Sequence, residues 1–184
     1  MSSKWLYGNG GHAKVILDWW KPDYIIDDDP SKGKPWTSDI PLRYRYGLIA
    51  IGDNKARKAV ADRIEVDEPM YGLADLANHD RAVCDVGTII MKGAVVQPGA
   101  WLRMHCILNT CASVDHDCEI ADFVHIGPGA HLCGNVRVGE GTLIGAGTIV
   151  TPGVKIGPWL VIPAGSVVTK DCTNEDDVAS LRRR

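Results

Sequence analysis

The sequence predicts a two-part chain, a small parallel α/β unit followed by an all-β parallel β-helix. Three observations carry this. Near the N-terminus a strand, a glycine-rich turn, a helix and further strands follow one another, the order of a parallel α/β unit. From Cys84 onward the chain adopts an unbroken six-residue period, the pattern of a parallel β-helix. Only the stretch Val114 to His125 crowds that scaffold with two histidines and several acids.

In order, the apolar run Lys4-Trp-Leu-Tyr-Gly8 reads as a first strand, closed by Gly8-Asn-Gly-Gly-His12. Ala13 to Trp20 reads as a helix stopped by Pro22, and Tyr24-Ile-Ile as a second strand ending at Asp27-Asp28-Asp29-Pro30. Tyr46 to Gly52 reads as a third strand, and Asp53-Asn54 supplies the cap of a helix from Lys55 to Ile64. Glycines in the first turn let the backbone approach a phosphate, and the helix N-terminus behind it offers free N–H groups and a positive dipole end. Asp27 lies 19 residues after Gly8, close to the spacing at which an acid meets a ribose hydroxyl in dinucleotide folds. The unit ends near residue 66, short of a dinucleotide-binding sheet, so a mononucleotide or nucleotide-sugar fits its size. Residues 67–83 read as a linker with a short helical piece around Leu73 to Ala77.

Every sixth residue from Cys84 to Val168 gives fifteen positions, of which fourteen are Val, Ile or Leu. The third residue after each is usually glycine and the fourth small. One aliphatic residue per side fills the core while glycine and small residues turn the corners. Three hexads make one coil of 18 residues, so the domain over 84–173 holds about five coils, a prism roughly 24 Å tall at one strand spacing per coil. Residues 18 apart stack. Residues 174–184 read as a tail, with Arg182-Arg-Arg in solvent.

That arithmetic turns His116 outward and stacks Gly134 on it. A basic side chain beside a bare glycine N–H can provide a general base and an oxyanion donor. Asp115 and Asp117 flank the histidine, and a nearby carboxylate favours imidazolium. Asn109, seven residues earlier, can orient a partner. His125 lies half a coil from His116, on a different side of the prism. One site using both therefore lies between neighbouring prisms, and a three-sided prism suits a C3 trimer. Pro128, Ala146 and Ala164 form a column of small residues that leaves a groove. His79, His105 and His131 read as surface residues, and Trp19-Trp20 as core or interface.

Composition narrows the classes. A net charge of -3 leaves no basic footprint for nucleic acid. No apolar run is long enough to cross a bilayer and no signal-peptide core is present, so the expected location is cytoplasmic. The six cysteines include no C-x-x-C pair, which argues against a zinc knuckle; they read as reduced packing residues.

Taken jointly, Tyr7-Gly-Asn-Gly-Gly-His-Ala-Lys, Asp27-Asp28, Ile49-Ala-Ile-Gly-Asp-Asn, Leu108-Asn-Thr, Val114-Asp-His-Asp-Cys, Phe123-Val-His-Ile and Gly134-Asn-Val resemble the PglD-like bacterial nucleotide-sugar N-acetyltransferases. The resemblance spans nearly the whole chain in the same order. It implies a Rossmann-like nucleotide-sugar domain before a left-handed β-helix, and a homotrimer with sites between subunits. The implied reaction is acetyl transfer from acetyl-CoA, without a metal, to the 4-amino group of a UDP- or GDP-linked sugar. By the same resemblance His116 is the general base, Asp117 the acid paired with it, and Gly134 the donor facing the thioester oxygen. His125, Ala146 and Ala164 line the acetyl-CoA groove, while Gly10, Gly11, His12, Asp27, Asp28 and Gly52 contact the nucleotide-sugar. The chain departs from the pattern twice: Asp117 stands where Glu is usual, and Val168-Thr-Lys-Asp-Cys-Thr-Asn-Glu lacks the Gly-x-Pro-Ala-Lys segment common after such repeats. The alternatives are O-acetylation of a sugar hydroxyl, as in sialic-acid modification, and a non-catalytic or zinc-dependent β-helix.

Overall fold

The structure is a computed structural model, described over residues 4–34, 46–64, 73–74 and 84–181. The chain divides into two compact units, Met1–Tyr71 and Gly72–Arg184.

In the first unit, β1 (Lys4–Tyr7), α1 (Gly11–Trp19), β2 (Tyr24–Ile26), β3 (Tyr46–Ile49) and α2 (Asn54–Arg63) follow the expected order. The three strands form one parallel sheet, β2-β1-β3. Trp5, Leu6, Tyr7, Ile26, Leu48 and Ile49 are buried in it, with Ala13 and Ile16 of α1 and Val60 of α2. Asp53 caps α2 as expected, its carboxylate accepting the Ala56 N–H at 2.8 Å. Gly10 caps α1 and offers no side-chain hydrogen bond to the first turn. Arg57 of α2 is 1% exposed, and its guanidinium donates to the Ile51 carbonyl (2.9 Å), the Gly52 carbonyl (3.3 Å) and Asn54 Oδ1 (2.8 Å). A buried charge is tolerated when its hydrogen bonds are met in this way, and here they fix the loop after β3.

The second unit is a left-handed parallel β-helix. Its first face stacks six two-residue strands: Leu73–Ala74, Ile89–Ile90, Ile107–Leu108, His125–Ile126, Leu143–Ile144 and Val161–Ile162. The second face runs from Val95–Val96 through Ser113–Val114, His131–Leu132 and Ile149–Val150 to Val167–Val168. The third holds Trp101–Leu102, Glu119–Ile120, Arg137–Val138 and Lys155–Ile156. Partners are 18 residues apart, as in His125↔Ile107 and Glu119↔Arg137. From Leu102 to Val168 every sixth residue is buried, so one aliphatic side chain from each hexad fills the axis of the prism.

Each corner turns on a residue with positive φ. Glycine fills most of these positions, but His105, Cys111, Asp117, Phe123, Asn135 and Trp159 occupy the rest, at φ 55 to 60°. The left-handed region costs a non-glycine residue about 1–2 kcal/mol, so each of these side chains is held there by its surroundings or its chemistry. His105 and Phe123, for example, stack with ring centroids 5.1 Å apart.

Several expectations change. Leu73–Ala74 is a strand paired with Ile89–Ile90, not part of a helical piece, so the β-helix begins inside the stretch read as a 67–83 linker. At the other end the expected 174–184 tail holds α3 (Glu175–Leu181). Asn174 Oδ1 accepts the N–H groups of Asp176 and Asp177, both at 3.0 Å, and Val178 enters the core of the prism. An apolar side chain covers the last coil, which would otherwise expose its axis to water. His105 is half-buried and stacked rather than a plain surface residue. All six cysteines are free, but Cys111 is exposed at a corner rather than in the core. His79, Asp75 to Ala77 and Arg182 to Arg184 lie outside the described residues.

Candidate functional site

Two sites emerge, one in each unit. The first is a cavity of about 400 Å³ at the carboxyl ends of β1 and β2 and the start of α1. Gly10, Gly11, His12, Asp27, Asp28 and Gly52, all singled out from the sequence, line it. A Cβ on Gly10 or Gly11 would meet nothing within 4 Å, so the uncapped N-terminus of α1 faces open space, as an anion-accepting turn requires. At Gly52 a Cβ would come within 2.9 Å of His12 Nδ1; the bare glycine lets the imidazole lie against the loop. Burial, and then the Arg57 charge, lower the His12 pKa, so His12 presents a neutral ring at pH 7.

Asp27 lines the cavity and also holds the surrounding loops. Its two oxygens accept the backbone N–H groups of Asn9 (2.7 Å) and Asp29 (2.9 Å). The carboxylate clamps the glycine turn to the end of β2. Asp28 is engaged differently, by the Tyr7 hydroxyl and by Arg63 Nη2 at 3.1 Å. Burial and the Asp28 hydrogen bond push the Tyr7 pKa up to about 12, while the Tyr7 hydrogen bond holds the Asp28 pKa below its ordinary value. Tyr7 and Lys32 line this cavity and escaped the sequence reading, as did Arg63 behind it. No local spacing announces Arg63, which is 56 residues from its Tyr7 partner.

The second site sits at the corner between the second and third faces of the β-helix. His116 Nδ1 lies 2.8 Å from Asp117 Oδ2, and Asp115 Oδ1 accepts the His116 N–H at 2.8 Å. The Asp117 hydrogen bond, followed by the charges of Asp115 and Asp117, raises the His116 pKa. With Nδ1–H directed to the carboxylate, Nε2 holds the lone pair of the neutral ring. That edge lies over Gly134: a Cβ there would be 2.5 Å from both Nε2 and Cε1. Asp117 in turn leans over Gly99 one coil back, where a Cβ would be 2.4 Å from Oδ1. Two bare glycines, one on each side, make the room in which this pair sits. Among the described residues the Gly134 N–H meets no acceptor, whereas its carbonyl takes the Gly153 N–H at 3.0 Å.

The structure thus brings His116, Asp117 and Gly134 together and leaves Asn109 and His125 apart from them. Asn109 pairs with His125 instead, Nδ2 to Nε2 at 3.1 Å, both side chains being buried. Asn109 Oδ1 accepts the Thr110 N–H at 2.8 Å, so its NH₂ group faces the histidine and His125 Nε2 is the acceptor. His125 is 8% exposed. Ala146 and Ala164 are exposed in the column with Pro128, at the corner between the first and second faces. Among the described residues no cluster of three or more His, Cys, Asp or Glu groups is arranged to hold a metal ion.

Similarities to known proteins divide at the same boundary. The family described as "PglD N-terminal domain" matches residues 5–64, and "Bacterial transferase hexapeptide (six repeats)" matches 117–152 and 135–170. A GDP-perosamine N-acetyltransferase of Escherichia coli O157:H7 is 30% identical over 117 residues, 56% of this chain. The chain spans about half the length of that curated relative, 51%. The acetyltransferase domain of PglB from Neisseria gonorrhoeae FA1090, solved with acetyl coenzyme A, is 29% identical, with a TM-score of 0.80 over 95% of this chain and 94% of that one. PerB from Caulobacter crescentus, solved with CoA and GDP-perosamine, is also 29% identical, with a TM-score of 0.73 over 95% and 92% of the two chains. The chain thus carries a match to the PglD N-terminal domain ahead of matches to hexapeptide transferase repeats, and it shares the left-handed β-helix architecture of these solved structures along nearly its whole length.

Proposed function

We propose that this protein is an acetyl-CoA-dependent N-acetyltransferase acting on the 4-amino group of a nucleotide-linked sugar. The observation that carries the reading is the His116–Asp117 pair at 2.8 Å, with its free ring edge over the unengaged N–H of Gly134. The neutral sugar amine attacks the thioester carbon. His116 Nε2 takes the proton, Asp117 stabilises the resulting imidazolium, and the Gly134 N–H donates to the developing oxyanion. Collapse of the tetrahedral intermediate breaks the C–S bond, and the imidazolium returns the proton to the departing CoA thiolate. Amide and free CoA are the products, with no net proton change at the histidine.

The cavity of the first unit is the nucleotide subsite in this reading, with the α1 N-terminus toward the diphosphate. A relative that is a GDP-perosamine N-acetyltransferase, and a similar structure holding CoA with GDP-perosamine, support the choice of an amino-sugar acceptor. Ala146, Ala164 and His125 come from a neighbouring copy to wall the acetyl-CoA groove. A trimer is supported by the apolar outward column of the second face, where Val95 (43%), Ile149 (43%) and Val167 (55%) are exposed. Six free cysteines and no helix long and apolar enough to cross a membrane among the described residues support the cytoplasm as its place.

The test is release of free CoA from acetyl-CoA with a panel of UDP- and GDP-linked amino- and hydroxy-sugars. An amino-sugar nucleotide should turn over, and His116→Ala should lower its rate by about 10²–10⁴-fold. Preference for a hydroxy-sugar, or near-normal rates in His116→Ala with the assembly intact, would overturn the reading.

A further inference from the structure

One helix, α2, fastens two parts of the cavity lining in the first unit. In its second turn Arg57 donates to the Ile51 and Gly52 carbonyls and so holds the loop after β3. Its last residue, Arg63, reaches Tyr7 and Asp28, which line the cavity elsewhere. A cation in the last turn of a helix also faces the negative end of the helix dipole, which favours its place there.

Arg63, Tyr7 and Asp28 close a ring of hydrogen bonds. Arg63 Nη2 donates to the Tyr7 hydroxyl oxygen and lies 3.1 Å from each Asp28 oxygen. The Tyr7 O–H donates in turn to Asp28 Oδ1, and the Arg63 guanidinium carbon stands 5.5 Å from the centre of the Tyr7 ring. The Arg63 and Asp28 side chains are 48% and 60% exposed, and an isolated exposed pair of this kind is worth little. Tyr7, 1% exposed in β1, is the fixed member that gives the ring a single arrangement. Each carboxylate oxygen offers two acceptor positions. Tyr7 and Arg63 fill both positions of Oδ1, whereas Arg63 alone bonds to Oδ2. One acceptor position of Oδ2 is left over.

We infer that Arg63 is a positioning residue of the nucleotide subsite, setting the Asp28 carboxylate so that Oδ2 accepts one hydroxyl or N–H donor of the nucleoside. The inference rests on the nucleotide-sugar reading of this cavity. Arg63 stands behind Tyr7 and Asp28, outside the cavity lining, so it acts through them. A carboxylate repels phosphate. The end of the ligand that meets Asp28 is therefore the nucleoside, which leaves the diphosphate at the N-terminus of α1.

Arg63→Ala, made in the full chain, should raise KM for the nucleotide-sugar about tenfold, with kcat and the KM for acetyl-CoA changing far less. Arg63→Lys should recover most of the loss, because one nitrogen makes all three contacts and an ammonium carries three donors. The losses from Asp28→Asn and Arg63→Ala should not add, since the second acts through the first. Calorimetric titration of UDP and GDP into the same proteins reads the contact without turnover, so it stands even when the reaction is wrongly assigned. The 2′,3′-dideoxy forms of both nucleotides separate the two donors: a ribose hydroxyl makes them indifferent to Arg63→Ala, and a base N–H leaves them sensitive to it. Nucleotide affinity within about twofold of the parent in folded Arg63→Ala overturns the inference, as do additive losses or an equal rise in both KM values. A parent that binds neither nucleotide overturns the assignment of the cavity and this inference with it. If Arg63→Ala does not fold, Arg63→Gln decides by the same readouts.

Discussion

Gly134→Ala is a sharp probe of the proposed mechanism, because it leaves every hydrogen-bonding group in place. A Cβ at 134 would lie 2.5 Å from His116 Nε2 and Cε1, where ordinary contact begins at 3.4 Å, so the ring must retreat by about 0.9 Å. The retreat is cheap in stability. The His116 side chain is 56% exposed, and Gly134 is absent from the positive-φ residues, so alanine suits its backbone. Catalysis is more exacting, since a displacement near 1 Å costs on the order of 10²-fold in rate, or about 2.7 kcal/mol. Gly134→Ala should therefore lose about 10²-fold in kcat/KM for CoA release while its thermal melting stays within about 1 kcal/mol of the parent. Rates within threefold of the parent, in a protein of unchanged melting temperature, would show that the ring edge over Gly134 is not where the chemistry happens.

Asp117→Asn tests the electrostatics. Asp117 raises the His116 pKa and the base works only when neutral, so the parent's rate falls as pH drops through that raised value. The Asn variant should shift the acidic limb of its kcat/KM profile to lower pH and lose about 10- to 100-fold at the plateau; an unmoved limb refutes the pairing. In the first unit, Asp53→Ala removes the carboxylate that accepts the Ala56 N–H at 2.8 Å. This should cost about 1 kcal/mol and lower that unit's melting by about 4–8 °C by calorimetry, and an unchanged transition would dismiss the cap.

The period-six pattern was legible because a β-helix repeats one local environment; each hexad solves the same burial problem, and its aliphatic residue must recur. The same arithmetic placed Gly134 over His116, since stacked residues in such a coil are separated by a constant 18. The glycines and acids of the first turn were legible for a related reason: a close backbone approach restricts residue type locally. What was missed depended on distance in the chain. Arg63 reaches Tyr7 and Asp28 from the end of α2, and Arg57 holds the Ile51–Gly52 loop from inside the same helix; neither shows a pattern in the residues around it. Asp27, singled out by spacing, lines the cavity and also accepts two backbone N–H groups that no spacing announced. Asn109 was matched to the nearer histidine by number, whereas the coil places it beside His125, 16 residues on.

Sequence alone determined the two-part architecture, the register of the prism and the meeting of His116 with Asp117 and Gly134, because each follows from a repeat or a neighbour relation along the chain. Tertiary structure alone decided how the charges are used. It tied Asp27 to the Asn9 N–H, paired Asn109 with His125, and lined up Arg137 and Lys155 beside a groove that opens at Asp117. A side chain's partner is set by which coil or helix lies against it in space. That choice is made only when the chain closes on itself.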